Sequence, residues 1–63
     1  MTQKELSYVE DAVGHEKSII KICEDMIKNL SDDNFISYMQ NEITTHQNME
    51  NELMTLLKEK ANG

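Results

Sequence analysis

The sequence predicts an all-α protein, an antiparallel two-helix hairpin that dimerises into a four-helix bundle. Apolar residues recur at alternating spacings of three and four along both halves of the 63-residue chain, which is the pattern of helices that bury one face. Proline is absent, and the only glycine inside either half is Gly14. A short polar segment at residues 31–34 separates the two halves, and a connection this short forces the helices to run antiparallel.

The first helix is predicted over residues 3–30. Thr2 and Glu5 have the spacing of a capping box, in which each side chain binds a free backbone N–H group of the other. The line expected to face the second helix contains one polar member: Leu6, Val9, Val13, Glu16, Ile20, Cys23, Ile27 and Leu30. Further apolar residues widen this line on its flanks: Ala12, Ile19, Ile22 and Met26.

The turn is predicted at residues 31–33 and the second helix at residues 33–60, so that the whole chain, residues 1–63, forms one hairpin. Ser31 is the expected N-cap, and the two aspartates after it favour the positive end of a new helix. The inward line of this helix is expected to contain two polar residues: Phe35, Met39, Glu42, His46, Met49, Leu53 and Leu56. Three further apolar residues flank this line on one side: Ile36, Ile43 and Leu57.

Two helices form a single layer, whereas a stable domain needs at least two packed layers around a core. Two copies packed face to face provide four helices, and two-fold symmetric dimers are the most common soluble oligomers. We therefore expect an obligate homodimer. The alternative is a hairpin that docks onto a different protein.

Charge and composition exclude several classes of function. The net charge of −6 and the pI near 4.6 describe an acidic chain, whereas nucleic acid and anionic membranes are bound by clusters of basic residues. No apolar run is long enough to span a bilayer, and the N-terminal residues lack the pattern of a signal peptide. The single cysteine, Cys23, fits a reducing compartment. No phosphate-binding loop or catalytic triad is recognisable, so no enzymatic activity is expected.

Glu16, Glu42 and His46 are polar residues on lines that are otherwise apolar, and buried charges need partners. In the hairpin, residues whose numbers sum to about 62 lie at the same height, which places Glu16 opposite His46 and Glu42 one turn away. One interpretation is a hydrogen-bonded layer that fixes the register of the helices. The other is a metal site, because a dimer would gather the four carboxylates and two imidazoles of di-iron and di-manganese bundles. Glu42, Glu16 and His46 are thus also candidate ligands for iron, manganese or zinc, either functional or fortuitous, although the spacing between Glu42 and His46 is one residue longer than in those bundles.

Residues 10–21, with His15, Glu16 and Lys17 followed by an apolar pair, resemble the first helix of the spore coat protein F family. Residues 33–49, which begin at an acidic turn and contain His46, resemble the second helix of that family. The resemblance implies a ferritin-like helical arrangement, a Gram-positive, spore-forming source and association with the spore coat and its other proteins.

Three functions are compatible with these observations. The first is a non-enzymatic structural or assembly protein that acts as a homodimer, either in the cytoplasm or in the spore coat. The second is a small regulatory hairpin that binds a sporulation signalling protein. The third is a ferritin-like di-metal carboxylate protein.

Overall fold

The computed structural model describes the backbone of residues 1–62 and the side chains of residues 1–60. Helix α1 spans Gln3–Asn29 and helix α2 spans Asp33–Asn62. No strand occurs within residues 1–62, so the predicted all-α helical hairpin is confirmed. Helix α1 ends one residue before the expected boundary and α2 continues two residues past it, whereas Gly63, the last residue of the expected unit, lies outside the described residues.

The capping box at the start of α1 is confirmed. The Glu5 N–H donates to the Thr2 hydroxyl at 3.1 Å, and the Thr2 N–H donates to the Glu5 carboxylate at 2.8 Å. This backbone hydrogen bond, with a smaller contribution from the Thr2 side chain, lowers the pKa of the Glu5 carboxyl. At the other end of α1 the chain leaves the helix at Leu30 in an extended conformation, and no residue of the turn requires a positive φ.

Asp32 is the N-cap of α2, and the expectation that Ser31 would be the cap is wrong. The Asp32 carboxylate accepts hydrogen bonds from the backbone N–H groups of Asn34 at 2.9 Å and Phe35 at 3.1 Å. Its carbonyl accepts the first helical hydrogen bond, from Ile36. Serine and aspartate are equally good caps, but the charged carboxylate also interacts favourably with the positive end of the helix.

The inward line of α1 lies where the sequence predicts it. Its four central members, Val13, Glu16, Ile20 and Cys23, are buried. The four outer members, which lie nearer the two ends of α1, are half-buried: Leu6, Val9, Ile27 and Leu30. The core of the hairpin is therefore short and centred on Glu16 and Ile20.

Helix α2 is rotated relative to the expected orientation. Phe35 and Met49, which were expected to face α1, are exposed. The half-buried side of α2 is centred on a line in which every second member lies one residue later along the chain: Ile36, Met39, Ile43, His46, Glu50, Leu53 and Leu57. Glu42 and Leu56, from the expected line, are half-buried as well. The two lines share every second member, so both fit the spacing of three and four. The observed rotation buries the branched side chains of Ile36 and Ile43 and leaves the longer Phe35 and Met49 at the edge.

The hairpin is one helix thick. Its principal dimensions are 46 × 15 × 11 Å, and the two helices lie side by side in one layer. The radius of gyration is 14.5 Å, whereas a compact chain of this length has about 11 Å. Among residues 1–62, neither helix is long and apolar enough to cross a membrane.

Candidate functional site: the Glu16–His46–Glu42 layer

Three ionisable side chains meet at mid-height of the hairpin. Glu16 projects from α1, and Glu42 and His46 project from α2 one turn apart. The prediction that residues whose numbers sum to about 62 lie at the same height is confirmed for Glu16 and His46, which contact each other across the two helices. Burial decreases across the layer, with side-chain exposures of 10% for Glu16, 20% for His46 and 38% for Glu42.

The imidazole of His46 joins the two helices. Its Nδ1–H donates a hydrogen bond to Oε2 of Glu16, because a carboxylate oxygen accepts. Its Nε2 lies 3.7 Å from Oε2 of Glu42, which is too long for a hydrogen bond. His46 is therefore hydrogen-bonded to Glu16 and is only a near neighbour of Glu42.

The layer is satisfied by its own members. Among the described side chains, no buried nitrogen or oxygen atom lacks a hydrogen-bond partner. The Glu16 carboxylate, the most buried charge of the hairpin, has its partner in His46. A satisfied polar pair inside an otherwise apolar line disfavours any other alignment of the helices, since sliding one helix would leave Glu16 buried without a partner.

The three candidate metal ligands are close together but are not arranged around one point. Within residues 1–62, no three histidine, cysteine, aspartate or glutamate side chains form a group that could hold a metal ion. The physical reason is the position of the carboxylates, because Glu16 faces Nδ1 of the imidazole and Glu42 faces Nε2. A metal ion binds through one imidazole nitrogen, so a single protomer does not direct both carboxylates to the same ion.

Sequence reasoning missed Glu50 as a fourth member of this region. Its side chain is 20% exposed, and its Oε2 lies 3.9 Å from Nζ of Lys17. Glu50 follows His46 by one turn and lies on the line of Ile36, Ile43 and Leu57. The sequence contains a signal for this position. Three branched apolar residues at heptad spacing predict an inward line, and Glu50 occupies the fourth position of that line.

Cys23 and His15 do not extend the layer. Cys23 is a buried free thiol on the inward line of α1, two turns beyond Glu16, and a buried thiol behaves as a small apolar side chain. His15 precedes Glu16 and is exposed. Neither residue has a hydrogen-bond or ion-pair partner among the described side chains that links it to Glu16 or His46.

No protein-family model matches this chain, and neither a curated protein nor a solved structure matches it. The function is therefore inferred from the surfaces of the hairpin and from its polar layer.

Proposed function

We propose that this chain is a non-enzymatic structural or assembly protein that acts as a homodimeric four-helix bundle, as its resemblance to the spore coat protein F family implies. The observation that carries the proposal is the lack of a complete core. No described side chain is completely buried, and Val13, Ile20 and Cys23 are the only buried apolar side chains within residues 1–60. In the same part of the chain eight large apolar side chains are exposed: Met1, Tyr8, Ile22, Met26, Phe35, Tyr38, Met49 and Met54.

Energetics support association. An isolated hairpin of this size loses the conformational entropy of all its ordered residues but buries few apolar side chains in return. Small domains with an insufficient core use disulfides, metals or oligomerisation to become stable. Cys23 is the single cysteine and is buried, so a disulfide between two chains is not the device used here. Association of two hairpins is the device that fits the exposed apolar surface.

The Glu16–His46 pair has a structural role in this proposal. It fixes the register of α1 against α2, so that the side chains outside the hairpin are presented in one arrangement to whatever they contact. A component of an ordered assembly depends on such uniformity, because every copy must present the same surface. The proposed location is the spore coat or the cytoplasm of a spore-forming bacterium, with other coat proteins as further partners.

Thermal unfolding at a series of protein concentrations tests the homodimer. If folding and association are coupled, the midpoint temperature rises by about 5 °C for each tenfold increase in concentration. Gly14→Ala provides a control, since it changes helix stability and leaves this concentration dependence unchanged. A midpoint that stays constant across a hundredfold range of concentration would show a monomeric unfolding unit and contradict the proposal.

Fractionation of spores tests the structural role. Antibodies against the chain should detect it in the coat extract of mature spores of the source organism, at a constant ratio to other coat proteins. Absence from the coat extract, with recovery from sporulating cells bound to a kinase or response regulator, would instead support a regulatory hairpin and refute the coat assignment.

A further inference from the structure

The exposed apolar side chains are not spread evenly around the hairpin. The ion pair between Lys17 and Glu50 marks one face, which we call the polar face. Glu10, one heptad before Lys17, lines a shallow groove together with Met54, so Met54 also lies on the polar face. Met54 is four residues after Glu50, which places the two on the same side of α2.

The apolar side chains of α1 lie on the other side of the hairpin. Tyr8 and Met26 are each nine residues from Lys17, which is about two and a half turns and so the opposite side of α1. Ile22 is two heptads after Tyr8 and belongs to the same line. All three side chains are exposed.

The same holds for α2. Phe35 and Met49 are two heptads apart, and Tyr38 is close to the same line. This line flanks the inward residues Met39 and His46 on the side away from Glu50. The chain therefore has an apolar face, which lies on both helices and consists of Tyr8, Ile22, Met26, Phe35, Tyr38 and Met49.

The accessible surface area of the chain indicates how much of the hairpin a partner would bury. The described chain exposes 4897 Å², whereas a compact monomer of its mass, 7.3 kDa, exposes about 4200 Å². The excess is about 700 Å², close to the roughly 800 Å² that each partner buries in a stable interface. The hairpin thus exposes more surface than a compact monomer, and the excess is about the area that one partner buries in a dimer interface.

The apolar face extends from Tyr8 near the open end to Phe35 beside the turn, along a hairpin 46 Å long. The element that covers it must have the same length and the same width of two helices. A second copy of this chain has both dimensions, and it carries the same excess of apolar surface, so one two-fold contact covers both faces at once.

We propose that a second copy of this chain docks on the apolar face, and that the polar face with its Lys17–Glu50 pair remains in solvent. The inference rests on the proposed homodimer and adds which face of the hairpin forms the interface. Glu42 lies one heptad before Met49 at the edge of the apolar face, which accounts for its greater exposure than Glu16.

Two methionines of α2 provide a matched test. Met49 is 42% exposed on the apolar face, and Met54 is 46% exposed on the polar face. Met49→Glu and Met54→Glu change the net charge equally, and neither removes a side chain from the centre of the hairpin core. We expect Met49→Glu to raise the Kd of the dimer at least about a hundredfold, because it places an unpaired carboxylate in the interface, and Met54→Glu to change it less than about threefold.

Sedimentation equilibrium measures both Kd values. The uncharged substitutions Met49→Gln and Met54→Gln repeat the comparison, and we expect smaller increases in Kd with the same ranking. Equal weakening by the two substitutions, or greater weakening by Met54→Glu, would overturn the choice of face while leaving the dimer intact as a proposal. A wild-type chain that is monomeric at every concentration would contradict the proposed function, and the interface with it.

Tyrosine fluorescence tests the same inference on the unmodified chain. Tryptophan is absent, and the two tyrosines, Tyr8 and Tyr38, both lie on the apolar face with about equal exposure in the single hairpin. Docking on this face should lower the acrylamide quenching constant at least about twofold relative to the urea-unfolded chain, because the partner copy covers the tyrosine side chains and excludes solvent from them. A folded dimer whose tyrosines are quenched as efficiently as those of the unfolded chain would refute the assignment.

Discussion

Replacing His46 with leucine should destabilise the fold more than replacing either of its carboxylate neighbours. The substitution keeps the volume of the side chain but leaves the Glu16 carboxylate without its hydrogen-bond donor at the most buried polar position of the hairpin. Removing one partner of a buried pair costs 3–5 kcal/mol when both are fully buried. Because the His46 side chain retains some access to water, we expect about 3 kcal/mol per protomer for His46→Leu.

The expected losses of stability for the other substitutions follow from how deeply each side chain is buried. Glu16→Leu leaves the imidazole partly exposed and still near Glu42, so it should cost about 1 kcal/mol. Glu42→Leu removes only a half-exposed contact at 3.7 Å and should cost less than about 1 kcal/mol. The double variant Glu16→Leu/His46→Leu replaces the pair with apolar side chains of similar volume and should lie within about 1 kcal/mol of the wild type.

Urea unfolding at fixed protein concentration gives these values, and the wild type, Glu16→Leu, His46→Leu and the double variant form a double-mutant cycle with an expected coupling of about 4 kcal/mol. A His46→Leu variant as stable as the wild type would refute the reasoning. So would a double variant whose loss equals the sum of the two single losses, since the Glu16–His46 contact would then contribute nothing to stability.

Three further predictions concern the helices themselves. Gly14→Ala should raise the stability to urea by about 1 kcal/mol, because an added Cβ meets no atom within 4 Å; a loss of stability would contradict this. Asp32→Ala should cost about 1 kcal/mol and Ser31→Ala less than about 0.5 kcal/mol in the same assay, and the reverse order would return the N-cap to Ser31. Since the pKa of Glu5 is lowered in the folded state, its contribution to stability is full above the ordinary glutamate range and is lost as the pH falls through the lowered value. Glu5→Gln should remove this component from the acid-unfolding profile followed by circular dichroism, and an unchanged profile would show that the contact has no effect on stability.

The hairpin and the central contact could be predicted from the sequence because both follow from local rules. The capping box of Thr2 and Glu5 depends only on residues three apart. The opposition of Glu16 and His46 depends only on the position of the turn and the rise per residue.

The rotation of α2 could not be predicted in the same way. Its apolar residues form two overlapping lines, one through Phe35 and Met49 and the other through Ile36 and Ile43, and the two lines fit a heptad equally well. Only packing against α1 distinguishes them. The burial of Glu50 follows from that rotation, and so does the exposure of Met49, which supports an interface on the apolar face.

Native mass spectrometry of the purified chain, before and after exposure to iron, manganese and zinc, tests the central claim most directly. The account predicts a dimer of twice the 7.3 kDa chain mass whose mass is unchanged by the metals, with Glu16, Glu42 and His46 serving as a structural polar layer. A dimer that gains two metal ions, and loses them when His46 is replaced, would contradict the role assigned to the layer. A stable monomer would contradict the homodimeric bundle itself.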